Sequence, residues 1–423
     1  MNRSSRFACT LVLGLLLVPA AARAQQEPKD NKWTKDATKL LTIAQLQQKP
    51  ELYQQALTAL QEGMQKDPTN AKVWLLAGQI QLGMEKYTDA DASLKKAVEL
   101  YPKYAEDIEP AREQAWLKLF QAGAAAMDRN QADSAVALLT QAESIYAQRP
   151  EAVLNLGMLY ANSGKPDEAT KAFAAAKERL HGPLFAKLKP EDQAQWKQYE
   201  AVADLTLSQV EGNRGIEAFN AGKYDEAVAA FKKAAAVNPN SRDYVYNLAQ
   251  AIYAQVDKLE KDRKAAKPAD VKQIDAQLVP LYKDVIPVVE KSLTFDPASL
   301  DSYVIIGRAY RGLALAAADP KEKTSMEAKA TEVLGNAQKL AFEVSDVAVS
   351  FGEQAKLNGN IKNRTAKPGE PLKLKVSFIG IDGNVIGSGD VSVAASTPDK
   401  PVPFEVSAPV QGQVAGWKYE IVK

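Results

Sequence analysis

Apolar residues recur three and four positions apart over most of residues 37–344, and this spacing predicts amphipathic helices. Residues 71–104 show it clearly, because two such segments are followed by Pro102, which cannot continue a helix. Small residues stand at Gly78 and Ala90, where two packed helices must approach closely. This stretch therefore predicts one helical hairpin.

The hairpin pattern repeats along the chain with a constant frame, which residues 71–104 define. Each repeat places a small residue in its first helix and an alanine in its second. Five units fit the frame without an internal gap: 37–70, 71–104, 116–149, 150–183 and 208–241. Two further units fit with insertions: 242–299 and 300–344. The repeats predict a stacked helical array, because one hairpin cannot bury its apolar faces alone.

Unit 242–299 is longer than the common frame. The added stretch, roughly Lys258 to Leu278, is rich in Lys, Asp, Glu and Ala, and Lys267-Pro268 marks a break inside it. We expect two lengthened helices that project as a hairpin, with a kink at Pro287. The mixed charges of residues 258–264 are typical of a solvated helix face.

Two segments, 105–115 and 184–207, lie between units. The second contains Lys189-Pro190-Glu191-Asp192, a good helix start, and predicts an extra helix from Gln195 to Val210. These interruptions are expected to divide the array into three parts: 37–104, 116–183 and 208–344.

The repeated unit resembles the tetratricopeptide repeat family. Matching positions are Gly78, Ala90 and Pro102 in one unit, Gly157 and Ala169 in another, and Gly215, Ala227 and Pro239 in a third. The resemblance implies a mainly α fold, an α-solenoid of about seven helical hairpins. It also implies that the first helices line a groove for extended peptides or helices.

The pattern changes at residues 345–423, where apolar and polar residues alternate with a period of two. Asp382-Gly383-Asn384 is a hairpin signal, and several short strands over this length predict a small all-β, Ig-like sandwich. The order of elements resembles the FxLyD-type family of bacterial extracellular β-domains. That family implies an Ig-like sandwich and no known chemistry.

Residues 1–24 predict a signal peptide, because a basic start precedes an apolar run and a small-residue cleavage site. Cleavage is expected after Ala24, followed by a lead-in over 25–36. We therefore expect a periplasmic or secreted protein without a transmembrane segment. The leader contains Cys9, the sole cysteine of the chain.

Lysine and arginine number 53 against 52 acidic residues, and three of the arginines lie in the leader. This near balance argues against nucleic acid as a partner. With one cysteine and one histidine, His181, the sequence has too few of these ligands for a metal site built from them. It also contains no recognised cofactor-binding motif. His181 precedes Gly182-Pro183, which favours a helix-capping role. We expect a non-enzymatic protein, with a carboxylate-based enzyme as the weakest alternative.

Five asparagines are candidate peptide-binding residues. Asn155, Asn213 and Asn247 occupy the same position in their first helices, and Asn162 and Asn220 lie further along two of them. The resemblance implies that such amides bind a ligand backbone, since an amide both donates and accepts. Plain consensus asparagines are the alternative.

Charged and apolar candidates lie on the same helices. Arg308 and Arg311 share one helix face and suit a ligand carboxylate, although a solvated face is the simpler interpretation. An apolar strip for a partner helix, or for the inserted helices, is formed by Phe120, Met127, Ile216, Phe219, Tyr246 and Tyr253.

The predicted function is an exported scaffold that binds a peptide or helix of a cell-envelope protein in the groove. The alternative is a periplasmic ligand-binding protein for glycan or lipid components of the envelope. The oligomeric state and the partner's identity stay open.

The repeat frame makes a direct prediction at Gly78. Gly78→Trp should disrupt packing between paired helices and lower both helicity and melting temperature, measured by circular dichroism. Unchanged melting would show that the frame around Gly78 is wrong.

Overall fold

A computed structural model describes residues 27–47, 49–351 and 354–422. The predicted leader, its cleavage site and Cys9 lie outside these residues. The described chain contains fourteen α-helices: α1 Lys32–Gln47, α2 Pro50–Lys66, α3 Ala71–Gly83, α4 Tyr87–Leu100, α5 Tyr104–Asp128, α6 Ala132–Ile145, α7 Glu151–Asn162, α8 Pro166–Leu180, α9 Pro190–Asn220, α10 Tyr224–Val237, α11 Arg242–Ala265, α12 Pro268–Phe295, α13 Leu300–Ala316 and α14 Pro320–Gln338.

The helices form seven consecutive hairpins, which confirms the predicted solenoid. Two compact units divide the chain: residues 1–147, and residues 148–423 with eight helices and the strands. Local signals start the helices. The Asn70 and Ser241 side chains accept hydrogen bonds from first-turn N–H groups of α3 and α11, and a proline opens α8.

A steric contact recurs within the hairpins. A Cβ atom added at Gly78 in α3 would lie 2.5 Å from the side chain of Leu94 in α4. The same contact occurs in three other hairpins, where a glycine of the first helix lies against a large side chain of the second. The two residues are as far apart in sequence as Gly78 and Leu94, and the pairs are Gly123–Leu139, Gly157–Phe173 and Gly215–Phe231. The glycines therefore allow paired helices to touch.

The segments predicted between units are helical. Residues 105–115 belong to α5, which is anchored by buried Ile108 and Trp116 and continues through Pro110. In the second segment a short 3-10 turn, Phe185–Lys187, precedes α9. The predicted extra helix is continuous with the first helix of the fifth hairpin, so α9 has 31 residues.

The long hairpin formed by α11 and α12 turns at residues 266–267. Val256, Leu278 and Tyr282 are buried between its helices, so the added length extends the packed core. α12 continues through Pro280 and Pro287, and the kink at Pro287 stays a prediction.

Six strands form the C-terminal region: β1 Phe342–Phe351, β2 Gln354–Asn363, β3 Pro371–Ile379, β4 Val385–Ala394, β5 Pro401–Pro409 and β6 Gly416–Val422. They make two antiparallel sheets with strand orders β1-β2-β5 and β4-β3-β6. Residues such as Leu374, Phe378 and Phe404 fill the core between the sheets. The strands begin at Phe342 rather than at residue 345. Two sheets are present as predicted, and membership of the FxLyD-type family stays a prediction.

The β-region docks on the solenoid inside the second unit. The buried Asn238 amide donates to the Ala415 carbonyl at 2.7 Å, and the Asn240 amide donates to the Ile381 carbonyl at 3.1 Å. A Cβ added at Gly416 would lie 1.9 Å from the Asn240 backbone oxygen. The backbone of the loop after α10 therefore lies directly against the backbone at the start of β6.

A buried carboxylate strengthens this contact. Asp296, 1% exposed, accepts from Arg242 at 2.8 Å and from the Tyr419 hydroxyl of β6 at 2.5 Å. The same hydroxyl accepts from the Ala298 N–H at 3.1 Å. Burial, then the charge of Asp296, raises the pKa of Tyr419 well above its usual range. The hydroxyl therefore stays a donor.

Gly416→Ala tests the close backbone approach. The added methyl group should separate β6 from the loop and destabilise the second unit by about 1–3 kcal/mol. Calorimetry of the purified protein measures the change. Gly335 in α14 is the control, since a Cβ there has no neighbour within 4 Å. Gly335→Ala should stabilise the helix by about 0.5–1 kcal/mol. If Gly416→Ala and Gly335→Ala both stabilise the protein, or both destabilise it, the proposed contact is contradicted.

Tyr419→Phe should destabilise the protein by about 1–3 kcal/mol, because Asp296 and the Ala298 N–H each lose a partner. In the unfolded chain Tyr419 titrates near pH 10, whereas the folded chain keeps its proton to higher pH. Stability from Tyr419 is therefore complete below about pH 10 and is lost above it.

Melting temperature against pH measures this difference. The wild type should lose stability more steeply than Tyr419→Phe above about pH 10. Tyr160→Phe, on α7, is the control for removal of a tyrosine hydroxyl elsewhere in the second unit. Parallel curves for wild type and Tyr419→Phe would refute the role of this hydroxyl.

Candidate peptide-binding face

Helices α11 and α13 are the first helices of neighbouring hairpins, and both pack on α12. Tyr246 and Tyr253 are two helical turns apart on α11, as are Asp301 and Arg308 on α13, so each pair lies on one side of its helix. Tyr246 donates to Asp301 at 3.5 Å, and Arg308 donates to the Tyr253 hydroxyl. We call this surface the α11–α13 face.

A pocket of about 270 Å³ lies at the C-terminal ends of α11 and α13. It continues the face beyond Arg308 and is walled by the added length of the long hairpin. We call it the Arg311 pocket, and its lining residues are Glu260, Arg263, Lys264, Asp275, Leu278, Tyr282, Arg308, Arg311, Gly312, Leu315 and Ala316.

Both carboxylates of the Arg311 pocket already have partners. Arg263 donates to Asp275 through two nitrogens, at 2.5 and 3.2 Å, and this hydrogen bonding raises the pKa of Arg263. Glu260 accepts from the Tyr282 hydroxyl at 2.7 Å. Burial, and then this bond, raises the pKa of Tyr282. The tyrosine is therefore neutral and the two acids are engaged.

Basic groups remain available in the same pocket. Arg311 and Lys264 form no ion pair among the described residues, and Arg308 is exposed while contacting Tyr253. Exposed Val304 and Leu315 flank the arginines on α13, and Leu315 is 74% exposed. The arrangement is complementary to a carboxylate beside an apolar side chain.

The five asparagines do not gather at this pocket. Asn155 and Asn247 are half-buried, and their side chains have no hydrogen bond within the described part of the chain. Asn213 is exposed on α9, as are Asn162 and Asn220 at the ends of α7 and α9. Of this group, Asn247 lies on α11 beside Tyr246, so it is the asparagine nearest in sequence to the face.

The apolar candidates are distributed over both units. Phe120 is half-buried in the first unit, and its ring stacks on Trp116 with centroids 5.0 Å apart. Met127 lies near the end of the same helix. In the second unit Phe219 packs against Tyr224 at 5.5 Å, whereas Ile216 is exposed on α9. Packing within the repeat therefore occupies part of the predicted strip.

The single histidine stands at the C-terminal cap position of α8. Its Nε2 atom lies 2.8 Å from the Glu200 carboxylate on α9, at an exposed contact. Elsewhere in the described residues, no three side chains of metal-binding type come together. Among the described helices, none has the length and apolar character to cross a bilayer.

Arg263 and Lys264 were not among the predicted site residues, because the mixed charges of residues 258–264 indicated a solvated helix face. The long hairpin carries the end of α11 past the usual repeat length, and this brings both side chains beside Arg311. The sequence contained one signal for this arrangement, since α11 and α12 are both longer than the helices of the usual repeat. Their contact with α13 depends on packing that repeat spacing does not encode.

Three segments of the helical array match known family models. Models described as tetratricopeptide repeat match residues 71–104, 126–189 and 213–266. The solenoid is therefore similar to tetratricopeptide repeat arrays in these three segments. These matches lie on helices of both compact units. No curated protein matches the chain.

Similar solved structures include proteins described as tetratricopeptide repeat proteins. MamA is 16% identical and covers 53% of this chain and 90% of its own, with a TM-score of 0.26. A tetratricopeptide repeat protein from Parabacteroides merdae is 14% identical, covering 72% and 100%, with a TM-score of 0.20. YrrB, described as having an unusual peptide-binding site, is 20% identical, covering 51% and 97%, with a TM-score of 0.20. At these values the likeness does not extend to function.

Proposed function

We propose that this protein is an exported, non-enzymatic scaffold. Its α11–α13 face binds a peptide or helix of a cell-envelope protein. Export is supported by the leader pattern of residues 1–24, and the scaffold role by the repeat architecture. The partner segment carries a carboxylate next to an apolar side chain.

The main support for a peptide-binding function is the charge distribution of the Arg311 pocket. Glu260 and Asp275 are engaged by Tyr282 and Arg263, whereas Arg311 has no acidic partner among the described residues. A ligand carboxylate would therefore meet basic groups whose competing acids are already satisfied. Leu315 and Val304 would contact the apolar part of the same ligand.

Tyrosines extend the face toward the start of α11. Arg242 stacks over the Tyr246 ring at 4.3 Å, and Tyr253 contacts Arg308. Both tyrosines are half-buried. Rigid aromatic side chains lose little entropy on binding, so they suit the remainder of a peptide or helix.

Fluorescence polarisation with labelled synthetic peptides tests this function. The probes are short helical peptides with Glu and Leu on one face, and copies with Gln in place of Glu. The Glu peptides should bind more tightly, and added salt should weaken them as it screens the charges. Arg308→Gln with Arg311→Gln should weaken binding at least about tenfold.

Lys321→Gln with Lys323→Gln is the matched control, because it makes the same change of net charge at exposed positions of α14. This variant should bind as the wild type does. Equal loss in both variants would indicate a general charge effect, and equal affinity for Glu and Gln peptides would reject the carboxylate site.

A further inference from the structure

A second cleft, of about 540 Å³, lies between the N-terminal half of α9 and the β-region. One stripe of α9 forms its helical wall, since Gln195, Gln198, Tyr199 and Val202 are spaced by three and four residues. The loop between β3 and β4 and the loop between β5 and β6 form the opposite wall. We call it the glutamine cleft.

The helical wall is held in place from behind. Trp196 is 1% exposed and packs against Phe185, with ring centroids 6.2 Å apart. The Gln193 amide donates to the carbonyls of Phe185 and Leu188, at 3.2 and 3.1 Å. These contacts fix the rotation of α9 about its axis, so its glutamine stripe points to the cleft.

Backbone hydrogen bonds hold the wall formed by the strands. The Gln411 N–H donates to the Ile386 carbonyl at 3.2 Å, and the Ala415 N–H donates to the Ile379 carbonyl at 2.8 Å. The Asn240 amide holds the Ile381 carbonyl from the solenoid side. Both walls are therefore positioned before any ligand arrives, which lowers the entropy cost of binding.

The lining of the glutamine cleft is polar and almost uncharged. It contains four side-chain amides, those of Gln195, Gln198, Gln411 and Gln413, and no basic side chain. Its one carboxylate, Asp382, already accepts two hydrogen bonds from Asn384. Hydrogen bonding to Asn384 lowers the pKa of Asp382, so the carboxylate stays ionised. An anionic ligand would meet this negative charge without compensation.

Apolar groups complete the surface. Tyr199 is half-buried, and burial raises its pKa, so the hydroxyl keeps its proton. Ile381 and Ile386 lie across the cleft. Amides that both donate and accept match neighbouring hydroxyl groups, and an aromatic ring beside them matches the C–H face of a sugar. This combination differs from the basic Arg311 pocket.

We propose that the glutamine cleft binds a neutral oligosaccharide. An extended peptide is the poorer fit, because the lining consists of a helix face, two loops and Ile386 at the start of the edge strand β4. The Ile386 carbonyl already accepts from the Gln411 N–H at 3.2 Å, so the loop after β5 occupies this part of the strand edge. The size of the cleft lies in the range of specific ligand sites. The inference is independent of the peptide site, since the two sites share no lining residue.

Isothermal titration calorimetry with the purified protein tests the proposal. The neutral probes are tetramers of β-1,4-linked N-acetylglucosamine and of β-1,4-linked glucose, and a uronic acid tetramer is the acidic probe. At least one neutral tetramer should bind saturably, and the acidic tetramer should not. Absence of saturable binding by both neutral tetramers would overturn the proposal, as would preference for the acidic one.

Two variants address the two walls separately. Gln198→Ala with Tyr199→Ala removes groups from α9, and Gln411→Ala with Gln413→Ala changes only exposed loop side chains. Each should weaken binding of the neutral tetramer at least about tenfold. The loop variant keeps the test valid if the α9 variant unfolds, which circular dichroism will show.

Two controls separate this site from other effects. Gln55→Ala removes an exposed amide of α2, and the Arg308→Gln, Arg311→Gln variant removes the peptide site. Both should bind the neutral tetramer with wild-type affinity. Wild-type affinity in both cleft variants would overturn the assignment. A neutral peptide that binds in the cleft more tightly than the tetramers would also overturn it.

Discussion

The close approach of two helices at a glycine is the contact that the solenoid depends on. In four hairpins a large side chain of the second helix sits on a glycine of the first, as Phe173 does on Gly157. Any larger residue at the glycine would separate the helices, because a core at this density has no free space. The sequence separation of the two residues is the same in all four hairpins, and this also fixes the length of the turn. Extra residues lie before this contact in α5 and α9, whereas in the last hairpin they lie between Gly307 and Leu334, which still touch.

This steric rule explains why the fold was predictable. Glycine and alanine positions recur in the sequence because they allow close contacts inside each hairpin, and proline recurs because it cannot continue the second helix. The strand pattern was equally local, since Leu372, Leu374 and Val376 alternate with lysines and bury one face of β3. The continuity of α9 was not predicted, because the repeat frame suggested a boundary where the sequence contains no break.

The candidate sites were predictable only in part. Arg308 and Arg311 were identified from their spacing, but Arg263 and Lys264 enter the same pocket through packing of the long hairpin. The glutamine cleft had no sequence signal, since its walls are separated by about half of the chain. Such contacts depend on how the β-region docks, and one-dimensional patterns do not describe docking. The two proposed sites differ in charge, so the ligands proposed for them would not compete for one surface.

The position of Tyr419 has a consequence for the order of folding. Its hydroxyl reaches Asp296, which lies 123 residues earlier in the chain. Each hairpin can form from neighbouring residues, whereas this bond needs both β6 and the end of α12 in place. Long-range closure of this kind is slow compared with local helix pairing. We expect the repeats to form first, with Asp296 exposed to water at the end of α12. Its burial would then be the late step that joins the β-region to the solenoid.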